Sequence, residues 1–586
     1  MTSGPTARPV PLGGRLPVGV ALRRAFAAGY GLDALRADLM AGMVVGIVAL
    51  PLSMALAIAV GVPPQHGLYT AMVAGTVTAL AGGSKFQVTG PTAAFVVILA
   101  PIASHHGLPG LLTAGCMAGV VLVAMGLAGF GRFIEFVPYP VTTGFTSGIA
   151  TVIAMLQLKD VFGLRLAALP DEFVARVLAM WDARGSASAA EALVAAATIA
   201  LLLLVPRLTR RIPAPLVAIA GVAAAVAAIG WLVPSFTVAT IGSRFHATVA
   251  GHDVAGIPPV LPRPAFPWGP GGLQIHTLRA LVPAALTIAM LGALESLLSA
   301  VVADGMTGKR HDPNAELVGQ GLGNLVAPFF GGIAATGALA RTATSIRAGA
   351  RSPVAALVHA AVVLVSMVVL APLVAYVPMA SLAGLLLVVA WNMSEVRHFV
   401  HMLRVGPRND VAVLVTCYVL TVLMDMVVAV TVGIVLAALL FMGRMAELTT
   451  ARLVTDDDEE ASYDIPAGVA LYEITGALFF GAAQRAIASL RTVAGDVRIV
   501  VLGLGRVPVI DASGLVALEN ALGDLAHKFV ILAGAPPEVR RMFEKAELEQ
   551  RLEHVLFADS VEQGLDIARD LVLLNPGWRT AARAAS

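Results

Sequence analysis

The segment Gly331–Pro353, GGIAATGALARTATSIRAGARSP, sets the tightest constraint in the chain: an arginine stands in a run too apolar for a loop and too short to cross a bilayer. A helix starting near Thr336 reaches Arg347 after about three turns, roughly half of the ~20 residues that a full span takes. It is predicted to be a half-helix. Backbone broken at membrane depth is tolerated only where it is buried in protein or lines a watery cavity. The N-terminus of such a half-helix presents free N–H groups and about half a positive charge, and Arg341 on the second turn adds a full one. That combination selects an anion.

A second copy of the arrangement lies at Ala81–Ala100, AGGSKFQVTGPTAAFVVILA, where Gly90-Pro91 opens another short apolar helix. The copies are in register. Pro64 corresponds to Pro313, Leu68 to Leu317 and Gly82-Gly83 to Gly331-Gly332 at one constant offset, and after a two-residue length difference Thr89-Gly90 corresponds to Thr336-Gly337. Interrupted helices at matching places in two halves mark the binding site of a transporter built from repeats.

The surrounding chain is that of a polytopic membrane protein. Of 586 residues, 58% are hydrophobic and 13% charged, against roughly a quarter charged in an ordinary soluble domain. A net charge of +2 gives no argument for nucleic acid. Cys116 and Cys417 both lie inside apolar runs, where packing is expected rather than a disulfide or a metal site. Residues 1–36 hold five arginines and no apolar run suited to a signal peptide, so they are read as a cytoplasmic tail.

Apolar segments fall near 37–60, 66–83, 90–104, 108–130, 135–158, 188–205 and 213–234, then near 278–302, 314–330, 336–347, 353–377, 379–392, 409–425 and 427–443. The expected fold is an all-α polytopic membrane domain of fourteen segments in two inverted seven-segment repeats, since an odd number per repeat turns the second copy upside down. The repeats run over about 37–234 and 278–445, within a membrane domain at 37–445.

With the N-terminus inside, Arg132, Arg207, Arg210, Arg211, Lys309, Arg310, Arg397, Arg404 and Arg408 are cytoplasmic, as the positive-inside rule asks. The short outside loops near 61–65, 104–108 and 373–379 hold no Lys or Arg. One longer outside loop, 159–187, breaks the rule with Lys159, Arg165, Arg176 and Arg184.

From about Ala451 the character changes. A linker at 446–465 includes the acidic run Asp456–Glu460; a small α/β domain is expected at 466–575 and a tail at 576–586. Strands are predicted at Val469–Thr475, Val497–Leu502 and Phe529–Gly534, helices at Ala482–Val493 and Ser513–Leu525, giving a largely parallel sheet on the cytoplasmic side.

Glu295 and Ser299 lie one turn apart on the eighth span. A carboxylate there costs ~2.5–3.5 kcal/mol even on mild insertion scales, so it belongs in a cavity or against a partner. Burial and Arg341 act on its charge in opposite senses, which suggests a proton or cation coupling site; a buried carboxyl that only joins neighbouring helices is the other reading. Arg341 likewise reads either as an anion ligand or as an arginine snorkelling to the surface, as Arg347 and Arg351 do. His105 and His106 read as a solvated loop. Gly42 and Gly46 have the spacing that lets helices pack closely. In Asp511-Ala-Ser-Gly either Asp511 or Ser513 caps a helix, and a phosphorylated Ser513 would add negative charge at that helix start. No Walker A motif and no nucleophile–base constellation occurs, so neither an ATP-driven pump nor an enzyme is expected.

The residues resemble the SulP (sulfate permease) family of anion transporters, from about Asp38 to Leu574. The likeness rests on Pro51-Leu-Ser-Met-Ala, Val62-Pro-Pro-Gln-His-Gly-Leu-Tyr, Val88-Thr-Gly-Pro-Thr, Thr307-Gly-Lys with Asn314-Ala-Glu-Leu, and Thr336–Arg341. The carboxy-terminal domain with Asp511-Ala-Ser-Gly resembles a STAS module. The resemblance implies a core domain moving against a gate domain, a homodimer, and a small anion held between the third and tenth segments by Ser53, Thr89, Gly90, Thr92, Thr336, Gly337, Ala338, Leu339, Ala340 and Arg341. It implies a coupling site for protons, or for sodium, at Glu295 and Ser299. Further implications are the inner (plasma) membrane as location, no cofactor, no metal, and a cytoplasmic protein partner for the STAS module. Two positions depart from the pattern: Leu52 and Ala340 replace polar residues, which argues against copying sulfate selectivity. The runs from Gly90, Asp304, Glu316 and Val389 look similar to the bacterial C4-dicarboxylate branch, with succinate, fumarate or aspartate taken up with protons; the alternatives are a bicarbonate or sulfate transporter, coupled to protons or sodium, or an anion channel.

Overall fold

The computed structural model describes residues 18–132, 138–166, 170, 172–209, 212–233, 236–249, 252–424, 426–454, 463–479, 483–484 and 497–574. The predicted helix at 482–493, the acidic run 456–460, the tail 576–586, and Arg210 and Arg211 lie wholly or mostly outside these residues. The chain forms two compact units that divide after Ile434.

The first unit begins with α1 (Val20–Ala27), α2 (Leu32–Val60), α3 (Gln65–Ala81), β1 (Thr89–Gly90) and α4 (Ala93–Leu127). It continues with α5 (Tyr139–Val161), α6 (Phe173–Asp182), α7 (Ala189–Leu208), α8 (Ala214–Leu232), the short α9 (Ile241–Arg244) and a hairpin of β2 (His246–Val249) and β3 (His252–Ala255). Then follow α10 (Ile275–Thr307), α11 (Pro313–Val326), β4 (Thr336–Gly337), α12 (Leu339–Arg347), α13 (Val354–Val374), α14 (Met379–Met393), α15 (Val396–Val405) and α16 (Arg408–Leu423), and the division falls within α17 (Met426–Leu448). Among the described residues nine helices are long and apolar enough to cross a membrane. Of the other expected segments, α3, α11, α12 and α16 are shorter helices of 17, 14, 9 and 16 residues. Segments three and four are one helix, α4, bent where Gly107 takes φ 62°, ψ −174° just before Pro109. His105 and His106 stand exposed at that bend.

The half-helix starts at Leu339, not near Thr336. Thr336-Gly337 is extended instead and pairs antiparallel with Thr89-Gly90, Thr89 opposite Gly337 and Gly90 opposite Thr336. An extended pair satisfies its polar groups across the break, which a helical turn ending there could not do.

Close helix contacts come from small residues. A methyl group at Gly42 would lie 2.5 Å from Val358 Cβ, and one at Gly46 2.7 Å from Val362 Cβ, so α2 and α13 meet almost backbone to backbone. Two buried carboxylates fasten the early chain to the late chain. Asp38 Oδ1 accepts from the Arg351 and Ser352 N–H groups at 2.6 and 3.2 Å, and Asp38 Oδ2 accepts from Ser352 Oγ at 2.5 Å and Tyr30 Oη at 2.8 Å. Burial, reinforced by Asp38 beside it, pushes the Tyr30 phenol up to about 12. Glu316 Oε2 accepts from the Gly83 and Ser84 N–H groups at 2.9 and 2.8 Å, closing the turn after α3.

The second unit holds a five-stranded sheet in the order β5 (Thr450–Val454), β6 (Val469–Thr475), β7 (Ile499–Arg506), β8 (Phe529–Ala533) and β9 (Val555–Ala558). β5 runs antiparallel to β6 and the remaining pairs are parallel. Residues 450–454, expected in a linker, therefore form an edge strand, and β9 was not foreseen. Both faces are covered, as parallel strands require. Val500, Leu502 and Leu504 pack with Leu518 and Leu522 of helix Ala512–Asp524; Ile499, Val501 and Ile531 pack with Leu565 and Ala568 of helix Val561–Leu574.

Candidate anion site

The β1–β4 crossing brings the two interrupted segments together at their breaks. Ala338 N–H donates to Val88 C=O at 2.9 Å and Val88 N–H to Thr342 Oγ1 at 3.0 Å, so each segment holds the other in place. From this crossing α4 and α12 both begin. Neither has a side-chain N-cap, so the first N–H groups of both helices have no partner within their own helix. Around α4 these groups are covered, since Ala93, Ala94 and Phe95 are buried. At α12 Leu339 and Ala340 are exposed, which leaves its N-terminus open.

Arg341 is 2% exposed. Its Nη2 donates to the Pro91 carbonyl, while Nε and Nη1 have no partner among the described residues. Nη1 lies directly over Gly90, where any side chain would collide with it. The arginine does not snorkel: its guanidinium is held against the break in the opposite segment.

Glu295 of α10 reaches the same place. Its Oε2 accepts from Thr92 Oγ1 at 2.9 Å, and it is close enough to Arg341 to interact with it electrostatically. Ser299 does not join Glu295; its hydroxyl donates to Thr342 Oγ1 at 3.4 Å. Ser296, on the next position from Glu295, ties α10 to the crossing through Thr336 Oγ1 at 2.8 Å and Gly337 N–H at 3.0 Å.

Of the positions named from sequence, Thr89, Gly90, Thr92, Thr336, Gly337, Ala338, Arg341 and Glu295 meet at the crossing. Ser53 is wholly buried in α2, and its hydroxyl makes no hydrogen bond to any of them. Ser513 is exposed, and the cap of its helix is Asp511, whose Oδ1 accepts from Gly514 N–H at 2.7 Å.

Sequence reasoning missed three residues. Gln320 accepts from Thr89 Oγ1 at 3.2 Å and donates to Ala335 C=O at 2.7 Å; Asn324 exchanges two bonds with Ala335. Their signal was present as two amides one turn apart in an apolar helix. Gln87 is buried with both amide atoms unpartnered and lies against Gly337; nothing in its spacing marks it. No group of three or more His, Cys, Asp or Glu able to hold a metal occurs among the described residues.

Comparison with known proteins gives a consistent picture. The sulfate permease family model matches residues 35–417, and the STAS domain model residues 460–564. YvdB of Bacillus subtilis (strain 168), which carries a provisional sulfate-transporter name, is 40% identical over 91% of this chain and 97% of its own length. The bicarbonate transporter BicA of Picosynechococcus sp. is 31% identical over 88% of this chain and 92% of its own. Murine Slc26a9, an anion transporter solved in the inward-facing state, has the same fold at TM-score 0.80, covering 94% of both chains at 18% identity.

Proposed function

The chain belongs to the sulfate permease family of anion transporters, and from that premise we propose that it is a secondary active transporter that takes up C4-dicarboxylates such as succinate, fumarate or aspartate with protons. The observation that carries the anion site is Arg341, buried with two N–H-bearing nitrogens unpartnered and standing where two half-helices begin. A guanidinium with free donors matches a carboxylate in a planar, two-point contact. Thr89, Gly90 and Thr92 on one side, and Thr336, Gly337, Ala338, Leu339 and Ala340 on the other, complete the proposed pocket. Ser53 belongs to it only if α2 turns its hydroxyl toward the crossing during transport.

Glu295 supplies the coupling. A carboxylate beside the arginine competes with the substrate for one positive potential, so a dianion arriving there favours protonation of Glu295. Substrate and proton then strengthen each other's binding equally, by linkage. Ser299, engaged with Thr342, supports this role only through α12. The proposed setting is the inner (plasma) membrane with both termini cytoplasmic, as the basic loops favour, in a homodimer whose STAS module engages a cytoplasmic protein, with Ser513 as its regulatory phosphorylation site.

The names of the relatives favour a second reading, bicarbonate or sulfate as substrate with protons or sodium as coupling ion. Uptake of labelled succinate into proteoliposomes, with an imposed proton or sodium gradient and with sulfate and bicarbonate as competitors, separates the two. Accumulation of succinate with protons supports the first reading; sulfate uptake without succinate uptake refutes it.

A further inference from the structure

A cavity of about 230 Å³ opens beside the first half of α4, at the ends of that half-helix, α2 and α5 remote from the cytoplasmic tail. Its wall runs from Val97 to Ser104 on α4 and is completed by Gln157, Lys159 and Asp160 of α5 and Arg176 of α6. Val97 is five residues beyond the N-cap Thr92, so the inner edge of the cavity lies about 7.5 Å along the helix from the crossing. Gln157 is 4% exposed, and what its side chain exposes lines this cavity. An amide that faces a cavity is free to donate to a group that arrives there. Asp160, the carboxylate in this wall, is already engaged by Arg244 at 2.8 Å, with Lys159 at 4.0 Å. Lys159, Arg176 and Arg244 together outnumber Asp160 and Glu191, the buried carboxylate beside them.

Lys159 and Arg176 are two of the residues that broke the positive-inside pattern. Basic residues on the outer side of a membrane protein oppose its insertion preference, and a cleft with low-dielectric walls concentrates ions of the opposite sign. We propose that this cavity is an outer capture site for a carboxylate anion, with the Gln157 amide and the Lys159 ammonium as its donors. It rests on the transport reading above for its sidedness and its ligand. The anion is held here before it passes along α4 to Arg341.

The test is chemical access, which does not depend on transport. Ser104→Cys puts a thiol in the wall, and the unsubstituted chain, whose Cys116 and Cys417 are half-buried and buried, gives the background. Membrane-impermeant thiosulfonates of opposite charge are added from outside to proteoliposomes of inverted and right-side-out orientation. The anionic reagent should react faster than the cationic one by ~10-fold at low salt, with less difference at high salt. Lys159→Gln should shrink the ratio, Gln157→Glu should reverse it, and succinate should slow the anionic reagent. Equal rates for the two reagents, or a ratio unmoved by both substitutions, overturns the proposal; so does reaction only from the cytoplasmic side. A charge preference with protection by sulfate or bicarbonate but not succinate upholds the capture site and refutes the dicarboxylate reading instead.

Discussion

Thr92 donates to Glu295 at 2.9 Å, so the residue that opens one half-helix is tied to the carboxylate of a span from the other repeat. A threonine hydroxyl can donate to a carboxylate or to an amide oxygen, which makes the glutamine substitution a clean probe. Glu295→Gln should keep this bond and the fold, keep substrate exchange, and lose accumulation driven by a proton gradient. The measurement is counterflow against gradient-driven uptake in the same vesicles. Accumulation that survives the substitution removes Glu295 from coupling.

Arg341→Ala should weaken anion binding by ~10- to 100-fold, the range for losing charge-assisted hydrogen bonds, while the protein still inserts. Arg351→Ala should do little, because Asp38 holds the backbone N–H of residue 351, which alanine retains. Binding isotherms on purified protein decide both, and equal losses in the two variants would break the assignment.

Gly90→Ala places a methyl group against the end of the Arg341 side chain, a flexible group that moves cheaply. Thermal stability in detergent should therefore shift little while substrate affinity falls sharply. A variant that loses stability and affinity together would mean that the crossing tolerates no displacement at all.

Asp38→Ala leaves the Arg351 and Ser352 donors and the Tyr30 hydroxyl without their acceptor. Charged-acceptor bonds of this kind are worth ~1.5–3 kcal/mol each before compensation by water. A net loss on the order of 3 kcal/mol is expected, read as a lower unfolding temperature with substrate affinity unchanged in the folded fraction.

Removing the carboxy-terminal domain should leave a unit that still binds anion, since every proposed ligand precedes residue 350. The cut belongs after Leu448: a cut at 455 would strand β5, which pairs with β6 of the removed sheet. Ser513→Glu tests regulation, with Asp511→Ala as its control, expected to lower stability by ~1 kcal/mol as a lost N-cap. If Ser513→Glu alters neither uptake nor partner binding, Ser513 has no regulatory role.

The membrane class and the two breaks were legible because length, apolarity and the repeated Thr-Gly pairs follow from constraints local to the sequence. Arg341 and Glu295 stood out because charge in an apolar run is expensive. The extended state of Thr336 and Gly337 was not legible, since it comes from pairing with residues far away in sequence. The same holds for Gln87, whose surroundings depend on a glycine in the other repeat. Strand β5 was missed because an edge strand is specified by its neighbour more than by its own pattern.

The Asp38 contact has a consequence for synthesis. Its bonded groups at Arg351 and Ser352 lie 313 and 314 residues downstream. At ~5–20 residues per second they leave the ribosome roughly 15 to 60 s after Asp38 does. Until then Tyr30 is its one nearby partner among the described residues. A nascent chain stopped before Arg351 thus carries a first span whose acid has the Tyr30 hydroxyl but lacks the three donors of Arg351 and Ser352, so the early chain is fastened only late in synthesis.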